Sequence, residues 1–378
     1  TTGVILAISG GNATSTSTWS IYKKNSDSTI AQVNRQTYGN TAIKPALLKQ
    51  LQTSRLADSL VIFKGDYSVP VVTPPDTGYK RPKYKVSATL TFLNISNQTI
   101  SFDSINGGLQ NKNLLVITNG SNIHITKCYF TNTTGKSIIL NGCTNITIDS
   151  CFFGKVAFGV DASNCVNTIV INNQGQDLYD VGNMGQQFAH WVQFRGCTRG
   201  KINNNKFECT PASLAPHDLL NVYASKGFPG DSIQINSNWL RGGQVKVNGI
   251  PDKGATNGAA GIVAGEFTSS YIVCRNNILV NPGYVGIQPQ TATNVKIEKN
   301  KIFSIQTPAS LVGLSMFNYT TSVAATIYFG NNTVKWTKYD GSEFDVWKPG
   351  NAPAGWSTNI LNAKIDATIL PKTIITWK

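Results

Sequence analysis

The sequence predicts an all-β chain wound as a parallel β-helix. Three observations predict it: a strand-plus-Asn phrase that recurs, a repeat interval too short for a helix in each turn, and a second column of alternating segments in step with the first. The phrase runs Ile202 to Phe207, Ile233 to Leu240, Ile272 to Leu279, Val295 to Ile302 and Ile327 to Val334. Asn145 to Ser150 and Thr168 to Asn173 are earlier copies. A short strand repeated at a nearly fixed interval, with Asn at its turn, is the pattern of a solenoid with stacked rungs.

The interval sets the size of the coil. Asn277 to Asn300 is 23 residues, Asn173 to Asn205 is 32, Asn205 to Asn238 is 33 and Asn238 to Asn277 is 39. The shortest is read as the bare coil and the excess as loops on one side. The segments have period two, so they are strands. So short a coil has no room for a crossover helix, so equivalent strands of successive coils pair in parallel. Asn173, Asn205, Asn238, Asn277, Asn300 and Asn332 are expected to stack as an internal ladder. Asn suits that place because it tolerates the left-handed region and its amide can bond neighbouring coils.

The second column precedes the first in each coil. It runs through Ser137 to Leu140, Phe158 to Ala162, His190 to Arg195, Leu219 to Ser225, Gly261 to Glu266, Val285 to Gln290 and Gly313 to Phe317. Alternation points Val192, Phe194, Leu220, Val222, Ile262, Ala264, Ile287 and Pro289 inward. It points Gln193, Arg195, Asn221, Tyr223, Gln288 and Gln290 outward, in one surface column where chemistry can sit.

The ends read as caps. Pro45 to Leu56 is a short amphipathic stretch with Pro in its first turn, expected to be a helix that covers the open N-terminal end. After Val334 the period is lost, and Trp336, Trp347, Pro349, Pro353 and Trp356 predict an irregular tail. A solenoid core grows by added coils, so the 378 residues are read as one domain: 1–85 as N-terminal segment and cap, 86–335 as coils, 336–378 as tail. The 33 basic and 19 acidic residues leave a formal charge of +14, a field that attracts polyanions. The basic residues are not interleaved with aromatics along one stripe, which argues against a nucleic-acid partner. No run of 18 apolar residues exists, so no membrane-spanning helix is expected. A chain that starts at Thr1 without Met or a signal-like segment is expected to be a processed, secreted, extracellular protein and a monomer. The seven Cys (128, 143, 151, 165, 197, 209 and 274) lack C-x-x-C spacing and read as buried free thiols. A Cys197–Cys209 disulfide is the alternative.

Three insertions, Gln174 to Ala189, Thr210 to Pro216 and Gly242 to Ala259, all enter the second column. They should wall one face, and long loops on a rigid scaffold are common carriers of function. The column they flank holds His190, Arg195, His217, Asp218, Asn221, Tyr223 and Lys226.

The stretch His217 to Gly227, followed by Ile233 to Asn238, Arg241-Gly242-Gly243 and Gly261 to Glu266, resembles the pectate-lyase-like superfamily. Within it, the alginate-lyase and chondroitinase-B-like members are the nearest in pattern. The resemblance covers about residues 40 to 335 and implies a single-stranded right-handed parallel β-helix with a short N-terminal capping helix and an irregular C-terminal tail. It also implies a polysaccharide lyase that cleaves an acidic uronate polysaccharide, alginate first, by β-elimination.

Elimination needs a neutralised uronate carboxylate, a base for the proton on the adjacent ring carbon, and an acid for the leaving oxygen. The resemblance puts the base at Lys226. Arg195 would then neutralise the carboxylate, and Tyr223 or His190 would be the acid. His217, Asn221, Gln193, Gln288, Arg241 and Lys246 would hold neighbouring sugars. Ca²⁺ wants six to eight oxygens, and only Asp218 and Glu266 are near, so the site is read as free of metal and cofactor. Two alternatives stand beside the lyase. One is a glycoside hydrolase, which needs two carboxyl groups flanking the bond. The other is a non-catalytic glycan-binding or tailspike-like module, which would show an aromatic platform.

Overall fold

The computed structural model describes residues 89–101, 104–179, 189–210, 213, 216–243, 260–305, 310–316, 326–348, 352–364 and 374–376. It also gives the backbone of strands at 3–9, 17–24, 30–38, 60–63, 246–247 and 250–251. Three columns of parallel strands stack coil on coil. One middle coil shows the plan: His190–Arg195 lies in the first sheet, Thr198–Asn203 in the second and Lys206–Glu208 in the third. The next coil repeats it with Leu220–Tyr223, Ile233–Asn236 and Trp239–Arg241. The second sheet holds nine strands, one per coil. The fold is therefore the expected parallel β-helix, and no α-helix occurs among the described residues.

Alternation builds the core. Val192, Phe194, Leu220, Val222, Ile262, Ala264 and Ile287 are all fully buried, as their place in the period requires. Val192, Leu220, Ile262 and Ile287 stack in one parallel register, and Phe194 pairs with Val222 beside it. All seven cysteines are buried free thiols.

Each ladder amide meets its full hydrogen-bonding capacity. Asn205 Oδ1 accepts from Asn173 N (3.0 Å) and Asn173 Nδ2 (3.1 Å), while Asn205 Nδ2 donates to Val170 O (3.0 Å) and Asn238 Oδ1 (2.9 Å). The same contacts recur through Asn277, Asn300 and Asn332. The left-handed residue is not the ladder Asn, as expected, but the one before it: Asn172, Asn204, Ser237, Asn276, Lys299 and Asn331 all have φ between 56° and 57°. The turn residue reverses the chain and the next residue points inward to stack. In two earlier coils Cys128 and Cys151 take the inward place, behind Lys127 and Ser150 at positive φ.

Two ends differ from expectation. A four-stranded sheet precedes the coils: Gly3–Ser9 pairs antiparallel with Ser17–Lys24, which pairs with Ile30–Tyr38, and Gly3–Ser9 also pairs in parallel with Leu60–Phe63. The expected helix at 45–56 lies outside the described residues. At the other end the repeat outlasts its sequence period. Val346–Trp347 pairs with Leu314 and Ser315, Ala354 bridges Tyr328, and Ile360 bridges Thr333. Asn359 Oδ1 accepts from Asn332 N and Nδ2, both at 2.9 Å, as the next rung of the ladder. The stretch read as irregular tail thus adds a partial coil before the chain leaves the ladder.

The corner between third and first sheets positions the site. In two early coils a single long strand turns it without a break: Tyr129–Asn141 and Phe152–Ser163. In the sequence the first insertion begins one coil later, at Gln174, where those continuous strands end.

Candidate functional site

Register arranges the outward residues of the first sheet in three rows. Lys136, Phe158 and His190 form one, and Asp161, Gln193, Asn221 and Val263 the second. Ser163, Arg195, Tyr223 and Glu266 form the third. Adjacent parallel strands are about 4.8 Å apart, so neighbours in a row are in side-chain reach.

Asp161 anchors one end. Its carboxylate is 1% exposed, yet it accepts from Arg195 Nε and Nη2, each at 3.0 Å, and bonds the Lys136 ammonium. That ammonium lies 4.5 Å from the centre of the Phe158 ring, where the cation–π attraction adds to the pairing. Two cations on one buried carboxylate leave a net positive charge. Arg195 is clamped by its Nε and Nη2 edge while its side chain stays 42% exposed, which pre-organises a guanidinium at the surface.

The second cluster joins four coils' worth of insertion and strand. His190 Nδ1 lies 2.6 Å from the Asp218 carbonyl oxygen. A carbonyl only accepts, so Nδ1 carries the proton and Nε2 keeps its lone pair. Burial pulls the His190 pKa down to about 4, so the ring is neutral near pH 7. Its ring packs on Phe158 and meets His217 edge-on at 5.5 Å. Asp218 is buried but fully engaged. Its Oδ1 accepts from Ala260 N (3.1 Å), and its Oδ2 accepts from Asn221 Nδ2 (2.8 Å) and lies 3.3 Å from His217 Nδ1. Burial alone would raise Asp218, but the His217 charge and these hydrogen bonds outweigh it and hold the group at about 2. Burial likewise opposes charging of His217, and the Asp218 carboxylate overrides it and raises that pKa. Glu266 is raised by burial and by Asp218, and its Oε2 accepts from Asn221 Nδ2 at 3.1 Å.

Tyr223 sits in the third row between Arg195 and Glu266, with its ring centre 4.7 Å from that of Phe267. Lys226 is not in the column, contrary to expectation. It lies past the Ala224 turn, in register with Thr198 and Ser270 of the second sheet, and is exposed. Ala224 has φ 46°. The equivalent turn residues in earlier coils are Asn94, Asn119, Gly142, Asn164 and Gly196, types that tolerate this region. A strained alanine between Tyr223 and Lys226 marks that turn as the exception in its column.

The expected sugar-binding residues divide. Gln193 is in the second row, its Nε2 3.5 Å from His190 Nε2, and Gln288 continues that row beyond Val263. His217 and Asn221 belong to the cluster. Arg241 is not on the face at all. It pairs with Glu208 at 3.5 Å on the third sheet. Only the backbone of Lys246 is described, in a two-strand hairpin of the third insertion.

Sequence reading passed over Lys136 and Phe267. Tyr129 and Phe152 stack at 4.8 Å on the outside of the third sheet, with Tyr129 half-buried and Phe152 buried, so they form no exposed platform. They line a groove of about 210 Å³ with Gly154 as its floor. A Cβ there would meet Phe152 Cε1 at 2.9 Å, so glycine lets that ring lie down.

No family model and no curated protein matches the chain. Among solved structures, the chain is similar to an alginate lyase from Paenibacillus sp. str. FPU-7 at 13% identity and TM-score 0.45, covering 84% of this chain and 97% of that one. It is similar to a DFA-IIIase from Arthrobacter chlorophenolicus A6 at 11% identity and TM-score 0.41, covering 82% and 73%. It is also similar to the catalytic domain of a GH87 alpha-1,3-glucanase at 12% identity and TM-score 0.34, covering 75% and 62%.

Proposed function

We propose that the chain is a polysaccharide lyase that cleaves a uronate polysaccharide, alginate first, by β-elimination on the outer face of the first sheet. The observation that carries this reading is how the carboxylates are spent. Asp161 has both oxygens on Arg195 and Lys136, and Asp218 has both on Ala260, Asn221 and His217. Among the described acids of the column, Glu266 is the least committed, with one contact from Asn221 Nδ2 to its Oε2. One carboxyl cannot serve both halves of a hydrolysis. What faces outward instead is a clamped guanidinium beside a phenol, with an exposed lysine three residues further along the chain.

In the proposed reaction Arg195 pairs with the uronate carboxylate and acidifies the proton on the neighbouring ring carbon. Lys226 takes that proton. The electron pair forms the C=C bond, the glycosidic C–O bond breaks, and the Tyr223 hydroxyl protonates the leaving oxygen. His190 is assigned to positioning rather than acid catalysis, since its one proton is held by the Asp218 carbonyl.

Hydrolysis is the second reading. It is favoured by one contact: the Asn221 carboxamide nitrogen reaches both Asp218 (2.8 Å) and Glu266 (3.1 Å), two carboxyl groups whose pKa values are pushed apart. Three variants separate the two. For elimination, Lys226→Ala and Tyr223→Phe each lower kcat by about 100-fold or more in a folded protein, and Glu266→Gln costs less than about 10-fold. Loss of turnover in Glu266→Gln with retention in Lys226→Ala would move the assignment to hydrolysis.

A further inference from the structure

We propose that His190, His217 and Asp218 form a binding site for a divalent transition-metal ion of the Zn²⁺ class. One donor atom from each residue lies within 4.8 Å of the others. Two imidazoles and one carboxylate on one face are a donor set that suits Zn²⁺, Co²⁺ or Mn²⁺, whereas Ca²⁺ and Mg²⁺ favour oxygen alone. The sequence reading expected no metal, on a carboxylate count that weighs against Ca²⁺ and not against nitrogen-ligated ions.

The surroundings of each donor fit a ligand. His190 gives its Nδ1 proton to the Asp218 carbonyl, which fixes the tautomer and leaves Nε2 as the donor atom. Metal-bound imidazoles are oriented by this kind of outer-shell acceptor. The Asp218 carboxylate is held from behind by Ala260 N and from the side by Asn221 Nδ2, so its orientation is fixed. The two rings meet edge-on at 81°, so they approach from different directions.

A second observation points to a cation independently. Asn221 is 2% exposed, and its Oδ1 is buried with no hydrogen-bond partner among the described residues. A buried carbonyl oxygen without a partner is destabilising. This oxygen sits on the same carboxamide whose nitrogen bonds Asp218 and Glu266, so the unmet acceptor lies beside the donor cluster. The inference does not rest on the lyase reading, because its test reads binding alone.

The test is equilibrium dialysis of the EDTA-stripped full chain against Zn²⁺, followed by metal analysis, with Co²⁺ as a spectroscopic probe. The expected result is one Zn²⁺ per chain and a visible Co²⁺ spectrum of nitrogen–oxygen ligation. His217→Gln, at a partly exposed position, should weaken binding at least about 10-fold. His124→Gln should leave it unchanged, because the third histidine sits on the second sheet with Asp149. No bound Zn²⁺ at saturation, an unaffected His217→Gln variant, or equal loss in His124→Gln would overturn the site and leave His217 and Asp218 as an ion pair only.

Discussion

Burial keeps His190 neutral while the same cluster keeps Asp218 ionised, and both contributions to stability are lost as pH falls. The free imidazole has a pKa of about 6.5 and the folded one is at about 4. The unfolded chain therefore binds the extra proton between those values. Stability from His190 is complete above pH 6.5 and lost as pH falls to about 4, on the order of 3 kcal/mol. His217 has the reverse sign, because its folded pKa is raised. Its contribution is complete below the unfolded pKa and lost as pH rises through the folded one. Urea midpoints measured from pH 7 down to pH 4.5 should fall in the native protein and fall less in His190→Gln. Equal slopes would show that His190 is not held neutral by the fold.

Which residues face outward was legible in the sequence, since alternation has period two. Their partners were not. Asp161 gathers Lys136 from 25 residues before and Arg195 from 34 after, and the second offset includes the Gln174 to Ala189 insertion. Lys226 was misplaced for a different reason. The turn at Ala224 carries neither Asn nor Gly, so nothing in the sequence marked the chain as leaving the first sheet there.

The ladder is the element that fixes register, and it should respond to single substitutions. Asn238→Ala removes the acceptor for Asn205 N and Nδ2 and the donor to Ile202 O. Leaving buried groups unpaired costs about 1–3 kcal/mol each, so a loss of at least about 2 kcal/mol is expected in chemical denaturation. Asn145 belongs to an exposed ladder with Asn122 and Asn167, and Asn145→Ala should cost far less because water replaces its partners. Ala224→Gly should stabilise the protein by about 1 kcal/mol by relieving a left-handed alanine. A neutral or destabilising result would mean the turn is held by contacts that outweigh its strain. The ladder was readable because Asn recurs at each turn. Its last rung was hidden, because Asn359 follows Asn332 without the apolar strand phrase that announced the others.

At the scale of the whole molecule, the stacked coils give a straight array of outward residues, and the +14 charge surrounds it with a field for polyanions. Binding of an anionic polysaccharide should weaken as salt rises from 0.05 to about 0.5 M, because screening shortens the reach of exposed charges. A salt-independent dissociation constant would assign recognition to the groove's hydrogen bonds instead. The solenoid itself was legible from the repeat. The N-terminal four-stranded sheet was not, because it does not share the coil period.

The measurement closest to the central claim is ultraviolet absorbance during digestion of a panel of polyuronates, with reducing ends counted in parallel. Elimination leaves a C=C bond conjugated to the carboxylate, and hydrolysis leaves none. The account predicts that absorbance and new ends rise together on alginate or another uronate, and that both rates collapse in Tyr223→Phe. New ends without absorbance would contradict it and assign the column to hydrolysis.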